Sequence, residues 1–170
     1  EKLAQLVAML AQFEQHIEDD TPLADVLPTI FNKYPVRYRD YTLRELCQEM
    51  HDLYVSFDVK DLQKAMFRQE SLPAVAMNPQ DANSAFIRGD VELVRICDAA
   101  GRVAAEGALP YPPGVLCVVP GEIWGGAVQR YFLALEEGVN LLPGFSPELQ
   151  GVYSETDADG IKRLYGYVVK

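Results

Sequence analysis

Basic residues are scarce in this sequence: 15 Lys and Arg stand against 25 Asp and Glu, a formal net charge of −10. So acidic a chain repels phosphate backbones and anionic headgroups, and neither nucleic acid nor a membrane is an expected partner. The balance would suit a cationic substrate, but it suits the ordinary surface of a cytosolic protein equally well, so charge alone does not choose. Histidine is limited to His16 and His51, neither with a cysteine or carboxylate at metal-ligand spacing, and no metal site is expected. Cysteine is limited to Cys47, Cys97 and Cys117, odd in number and widely separated. Their apolar surroundings, such as Val115-Leu116-Cys117-Val118-Val119, predict buried free thiols in a reducing compartment and no disulfide. No apolar run reaches the ~20 residues of a membrane span, and Leu3 to Leu10 is interrupted by Gln5 with no cleavage signal after it. A soluble, cytoplasmic protein is the expectation. Also missing are the Gly-x-Ser-x-Gly nucleophile elbow, the Gly-Lys phosphate loop and the Gly-x-Gly-x-x-Gly fingerprint.

What is present is enough chain for one compact domain or two small subdomains: 170 residues, 49% hydrophobic and 24% charged. The sequence enters a periodic helix directly from Glu1 without an initiating Met, which reads as a piece of a longer protein. Leu3, Leu6, Val7, Leu10, Phe13 and Ile17 recur at helical spacing opposite Gln5, Gln12, Gln15 and Glu18. Thr21-Pro22 offers an N-cap and a first-turn proline, and Pro28 breaks the helix that follows, which ends near Phe31. Residues 33–40 read as loop. Thr42-Leu43-Arg44-Glu45 is a capping box opening a helix whose apolar face is Leu43, Leu46, Cys47, Met50, Tyr54 and Phe57. Cys47 and His51, four apart, could pair as nucleophile and base, but Cys47 belongs to the apolar stripe. Asp58 caps a further short helix to Met66, with Leu62 and Met66 buried.

Beyond Leu72 proline and glycine become frequent and apolar runs short and β-branched. The predicted fold class is therefore α+β, with a helical segment over 1–72 followed over 73–170 by a mixed α/β subdomain with a small sheet and a C-terminal hairpin. Residues 91–96 and 102–105 pair across Ala100-Gly101, and 115–119 form a buried strand. A helix carrying Trp124, Val128, Tyr131, Phe132 and Leu135 stops at Gly138, and Asp157-Ala158-Asp159-Gly160 turns the hairpin.

Leu109-Pro110-Tyr111-Pro112-Pro113-Gly114 is the unusual stretch. Its prolines fix φ, remove donors and forbid helix, so Tyr111 rides on a stiff extended support. Two readings follow: a rigid connector with Tyr111 packed, or a polar-tipped aromatic presented to a pocket. Glu122 of Pro120-Gly121-Glu122 divides in the same way, either serving the positive start of the next helix or facing a cationic ligand. Trp124 reads as core.

The segment from Ala108 to Tyr153 resembles the C-terminal domain of the bacterial ornithine/lysine/arginine decarboxylases. The landmarks are Pro110 to Gly114, Pro120 to Glu122, Pro143-Gly144-Phe145 and Gly151-Val152-Tyr153, in the family's order. The likeness extends upstream through the helix from Thr42 and the segment from Val91 to Gly101, and so covers most of the chain. Leu116-Cys117-Val118-Val119 and Trp124-Gly125-Gly126 resemble the ornithine-specific branch. The resemblance implies a carboxy-lyase converting L-ornithine to putrescine and carbon dioxide, with pyridoxal 5'-phosphate on a lysine after a Ser-x-His motif and a homo-oligomeric assembly. This sequence has no Ser-x-His-Lys, so the catalytic lysine and the main carboxylate for the distal amine are expected upstream of Glu1, and this part alone is expected to be inactive and to bind no cofactor. The resemblance implies a substrate-pocket role for Tyr111, and for Glu122 and Trp124 proximity at most. A purely structural or oligomerisation role is the alternative.

Overall fold

The computed structural model describes residues 2–170, which form two compact units, residues 2–53 and 54–170. The composition changes at Leu72, whereas the contacts divide earlier, because the helix after Asp58 belongs to the second unit.

In the first unit, helix α1 (Lys2–Glu18) is followed by the short helices α2 (Leu23–Val26) and α3 (Pro28–Lys33), and then by α4 (Leu43–Ser56), which runs on past Leu53. The break between α2 and α3 falls at Leu27-Pro28, where a prolyl ring cannot continue the ladder. Thr21 is not the N-cap of α2: Pro22 holds that position, and the Thr21 hydroxyl lies 3.2 Å from Nδ1 of His16. The capping box forms as read. The Thr42 N–H donates to Glu45 Oε2 at 2.8 Å and the Glu45 N–H to Thr42 Oγ1 at 3.3 Å. Arg44 donates to the Ile17 and Glu18 carbonyls, satisfying acceptors that the last turn of α1 leaves open. Tyr38 is buried with Leu23, Leu43 and Leu46, and the Arg37 guanidinium lies 5.1 Å from its ring centre. The apolar stripe of α1 is exposed from Leu3 to Phe13, and Ile17 at its end is half-buried.

In the second unit, α5 (Val59–Ala65) packs on α7 (Gly126–Leu141). Asp58 precedes α5 in a left-handed conformation and makes no side-chain cap bond, so its role there is conformational rather than capping. Leu62 and Met66 are buried as predicted. Helix α6 (Pro79–Arg88) lies in the stretch where no helix is predicted. The Asn78 side chain accepts from the Gln80 N–H, Pro79 takes the first turn, and Gly89 ends the helix at φ 80°.

One antiparallel sheet has the order β1 (Val91–Arg95), β5 (Lys162–Val169), β4 (Tyr153–Thr156), with Leu93 opposite Tyr167 and Tyr153 opposite Tyr165. A second, two-stranded ribbon pairs β2 (Leu109–Tyr111) with β3 (Glu148–Gln150). The predicted hairpin is β4 and β5. It closes through bonds from Asp157 N–H to the Ile161 carbonyl and from Gly160 N–H to the Asp157 carbonyl.

Three local expectations are corrected. Residues 102–105 do not pair with β1. A 3-10 turn at Ile96–Asp98 redirects the chain, and residues 103–105 run along the other edge of β5, with Ala105 N–H on Tyr167 O and Val169 N–H on Val103 O. Residues 115–119 are not a strand. Among the described residues their one β-bridge is Ala108–Val118, Val115 and Leu116 are exposed, and turns at both ends leave too little length for a ladder. The last helix begins at Gly126, after Trp124, and passes through Gly138 to Leu141, the Gly138 carbonyl accepting from Leu142 N–H as in any helix interior.

The core gathers Ile96, Val118, Trp124, Val128, Phe132, Leu164 and Val168 around the inner face of α7. Trp124 is 1% exposed and meets Phe132 edge-on at 5.4 Å. Of the cysteines only Cys117 is buried. Cys47 is half-buried and Cys97 exposed, which corrects the reading of all three as core thiols. No helix among the described residues is long and apolar enough to cross a membrane.

Candidate functional site

Tyr111 ends β2 at the start of a loop over residues 112–117. The neck of this loop is closed by Ala108, whose N–H donates to Val118 O at 3.0 Å and whose carbonyl accepts from Cys117 N–H at 2.9 Å. Below the neck, Gly151 faces Gly107 so closely that a Cβ on Gly151 would lie 2.0 Å from the Gly107 carbonyl oxygen. Only glycine permits that approach, and it brings β3 alongside β2. Inside the loop the Gly114 N–H donates to Pro110 O at 3.1 Å. The Tyr111-Pro112 and Pro112-Pro113 peptides are cis.

On this frame Tyr111 is 53% exposed, opposite Glu148 across the ribbon. The Tyr111 side chain is therefore presented outward rather than packed in the core of this unit. A ring so placed offers an apolar wall and a hydroxyl able to donate or accept one hydrogen bond.

Glu122 and Trp124 occupy different settings. Glu122 Oε2 accepts the Val119 N–H at 2.7 Å and closes the turn around Pro120-Gly121, so the carboxylate is engaged in that turn. The helix it was expected to serve starts only at Gly126. Trp124 is enclosed in the core, and its Nε1 has no hydrogen-bond partner among the described residues. The structure thus leaves Tyr111 as the one of the three with its aromatic surface open.

A neighbouring pair escaped the sequence reading. The Tyr153 hydroxyl donates to Glu106 Oε2 at 2.8 Å, across 47 positions of sequence. Desolvation first, and then Glu106, pushes this phenol up to about 12. The Tyr153 ring meets Tyr167 edge-on at 5.3 Å, and Tyr167 meets Phe86 at 5.2 Å. The signal was the Gly151-Val152-Tyr153 landmark, whose glycine sets the strand that delivers Tyr153.

The other candidates stay apart. His51 is exposed on α4, and burial pushes the Cys47 thiol up, the reverse of what an activated nucleophile needs. Among the described residues no group of three His, Cys, Asp or Glu could hold a metal ion. A cleft of about 310 Å³ is lined by Ser56, Phe57, Asp58, Leu62, Arg130 and Leu133, and by none of the three residues singled out above. The lysines of the described chain are all exposed and none lines that cleft, so these residues do not fit a lysine-held cofactor.

Residues 60–170 match the family described as Orn/Lys/Arg decarboxylase, C-terminal domain. The chain is 89% identical to the constitutive ornithine decarboxylase of Escherichia coli (strain K12), over all of this chain and 24% of that protein. It is 68% identical to the inducible ornithine decarboxylase of the same strain, over 99% of this chain and 23% of that protein. The solved structure of lysine decarboxylase A from Pseudomonas aeruginosa superposes with a TM-score of 0.88 at 31% identity, covering 99% of this chain and 23% of that one. The chain thus spans about a quarter of the length of the curated relatives it matches.

Proposed function

This chain belongs to the Orn/Lys/Arg decarboxylase C-terminal domain family, and from that premise we propose that it is the C-terminal part of an ornithine decarboxylase, shaping the entrance to the active site. The whole enzyme removes the carboxylate of L-ornithine as carbon dioxide and leaves putrescine, in the cytoplasm and as a homo-oligomer. Ornithine is favoured as the substrate by the 89% identity to a constitutive ornithine decarboxylase, against 33% to a lysine decarboxylase of Pseudomonas aeruginosa. Pyridoxal 5'-phosphate, the family's cofactor, supplies an electron sink when bound. With every lysine of the described residues exposed, we assign its binding to the remainder of the enzyme.

The observation that carries the role of this part is the outward presentation of Tyr111 on a neck-closed loop. In this reading its ring walls the substrate path and its hydroxyl orients a polar group of the substrate, which is positioning rather than bond-making chemistry. The test is steady-state decarboxylation of ornithine, lysine and arginine by the full-length enzyme and its Tyr111→Phe and Tyr111→Ala variants, with sizing to confirm assembly. Ornithine is the preferred substrate. Tyr111→Phe loses about 0.5–1.5 kcal/mol of transition-state binding, the worth of one neutral hydrogen bond. Tyr111→Ala loses more, part of it in kcat, because a poorly held substrate loses orientation as well as affinity.

A second reading, a purely structural or oligomerisation domain, is favoured by the exposed apolar stripe of α1. Wild-type kinetics for Tyr111→Ala in an intact assembly would decide for it.

A further inference from the structure

We propose that Gly114 is a positioning residue for Tyr111: the missing side chain at 114 is the seat on which the tyrosine ring rests. The inference rests on the substrate-wall reading above and deepens it. A Cβ built on Gly114 would lie 3.0 Å from Cδ2 of Tyr111 and 3.4 Å from Cε2, at the limit of what real side-chain contacts tolerate. The ring therefore lies against the bare Cα of Gly114 rather than turning freely about a half-exposed site.

The backbone holds the seat in place. Gly114 has φ 78°, a left-handed conformation that carries its Cα toward the ring, and its N–H is tied to the Pro110 carbonyl one residue before Tyr111. Pro112 and Pro113 allow little adjustment between the two residues. Any side chain at 114 must therefore push the ring, because the loop backbone cannot yield easily. The glycine serves two needs that can be separated: a backbone with positive φ, and an absent Cβ.

Asparagine separates them. It enters the left-handed region more readily than other residues with a side chain, yet it carries a Cβ. In the full-length enzyme, Gly114→Ala and Gly114→Asn should both lower ornithine kcat/KM in the direction of Tyr111→Ala, by roughly 3-fold to 10-fold for a wall displaced by a few tenths of an ångström. Added to Tyr111→Ala, Gly114→Asn should cost nothing further, because there is no ring left to displace. Additive losses in the double variant overturn the proposal, and so do wild-type kinetics for Gly114→Asn with the ring unmoved. A crystal structure of the full-length Gly114→Asn enzyme reads the ring directly. An unmoved Tyr111 ring overturns the proposal whatever the kinetics, whereas a displaced ring with wild-type turnover upholds the seat and sinks the substrate-wall reading instead.

Discussion

The Glu136 carboxylate accepts the backbone N–H of Leu164 at 2.6 Å, taking the place of a missing strand. β1 ends opposite Tyr165, and among the described residues no strand pairs with the same edge of β5 before that point. One helical turn further along α7, Asn140 accepts from the Lys162 N–H at 2.8 Å and donates to the Lys162 carbonyl at 2.9 Å. Two side chains at i and i+4 thus continue the ladder past the end of β1. Arg95 at 3.6 Å and Arg163 at 3.9 Å balance the charge of the buried Glu136.

Glu136→Ala should destabilise the second unit by about 1–3 kcal/mol, since it strands the Leu164 N–H and takes the carboxylate from Arg95, while Arg163 keeps its pair with Asp157. Glu136→Gln keeps an acceptor and should cost less. Denaturant unfolding of the two variants checks the order; equal costs would mean that charge balance, not the backbone bond, is what Glu136 provides.

Gly151→Ala should be far more damaging than Gly160→Ala, although both positions have positive φ. A Cβ at 151 runs into the Gly107 carbonyl, whereas at 160 it meets open space. Gly160→Ala therefore pays only the left-handed conformation, about 1–2 kcal/mol. Gly151→Ala must also separate β2 from β3, and loss of more than about 3 kcal/mol or of soluble protein is expected. Thermal unfolding with both variants side by side is the check.

Local chemistry made much of this fold legible. The Thr42–Glu45 box and the 3.6-residue stripe mark α4, and Asp-Ala-Asp-Gly marks the hairpin, because each signal lies within a few residues of its own effect. What failed was mostly nonlocal. Nothing near Val91 names Val169 as its partner across 78 positions, and an apolar run such as 115–119 says nothing about whether a neighbouring strand exists to pair with it. Helix α6 had its Asn-Pro start and Gly stop in plain view, masked by the proline-rich composition around it. At the site, Tyr111 stood out through its prolines, but the seat at Gly114 and the bond from Tyr153 to Glu106 depend on approach distances that no spacing rule carries.

The thiols should label in an order set by burial. Cys97 is exposed and should react first, Cys47 more slowly, and Cys117 only on unfolding. Burial pushes the Cys117 thiol up to about 11, which removes the reactive thiolate as well as access to it. Mass spectrometry after brief alkylation of the folded chain at neutral pH should find the label at Cys97. Early label at Cys117 would show that the 112–117 loop opens readily.

The Tyr153–Glu106 bond predicts a loss of stability in alkali with a definite window. Tyr153 ionises at about 12 in the folded chain, while a free tyrosine does so near 10. The folded state thus favours the neutral phenol, which can donate to Glu106, over the phenolate, which would face a carboxylate at hydrogen-bond distance. The contribution is complete below about pH 10, where both states hold the proton, and it falls between about 10 and 12, where only the unfolded chain releases it. Tyr38, also held at about 12 by burial, adds to the same fall, so the whole-chain profile does not isolate Tyr153. Tyr153→Phe does: it should remain folded at neutral pH and show a shallower decline across the window, and its tyrosinate titration should lack one ionisation near 12. Glu106→Gln should return that ionisation toward 10 with the ring still in place. If the difference between the wild-type and Tyr153→Phe titrations instead centres near 10, the phenol is solvated in solution and the bond to Glu106 does not hold it.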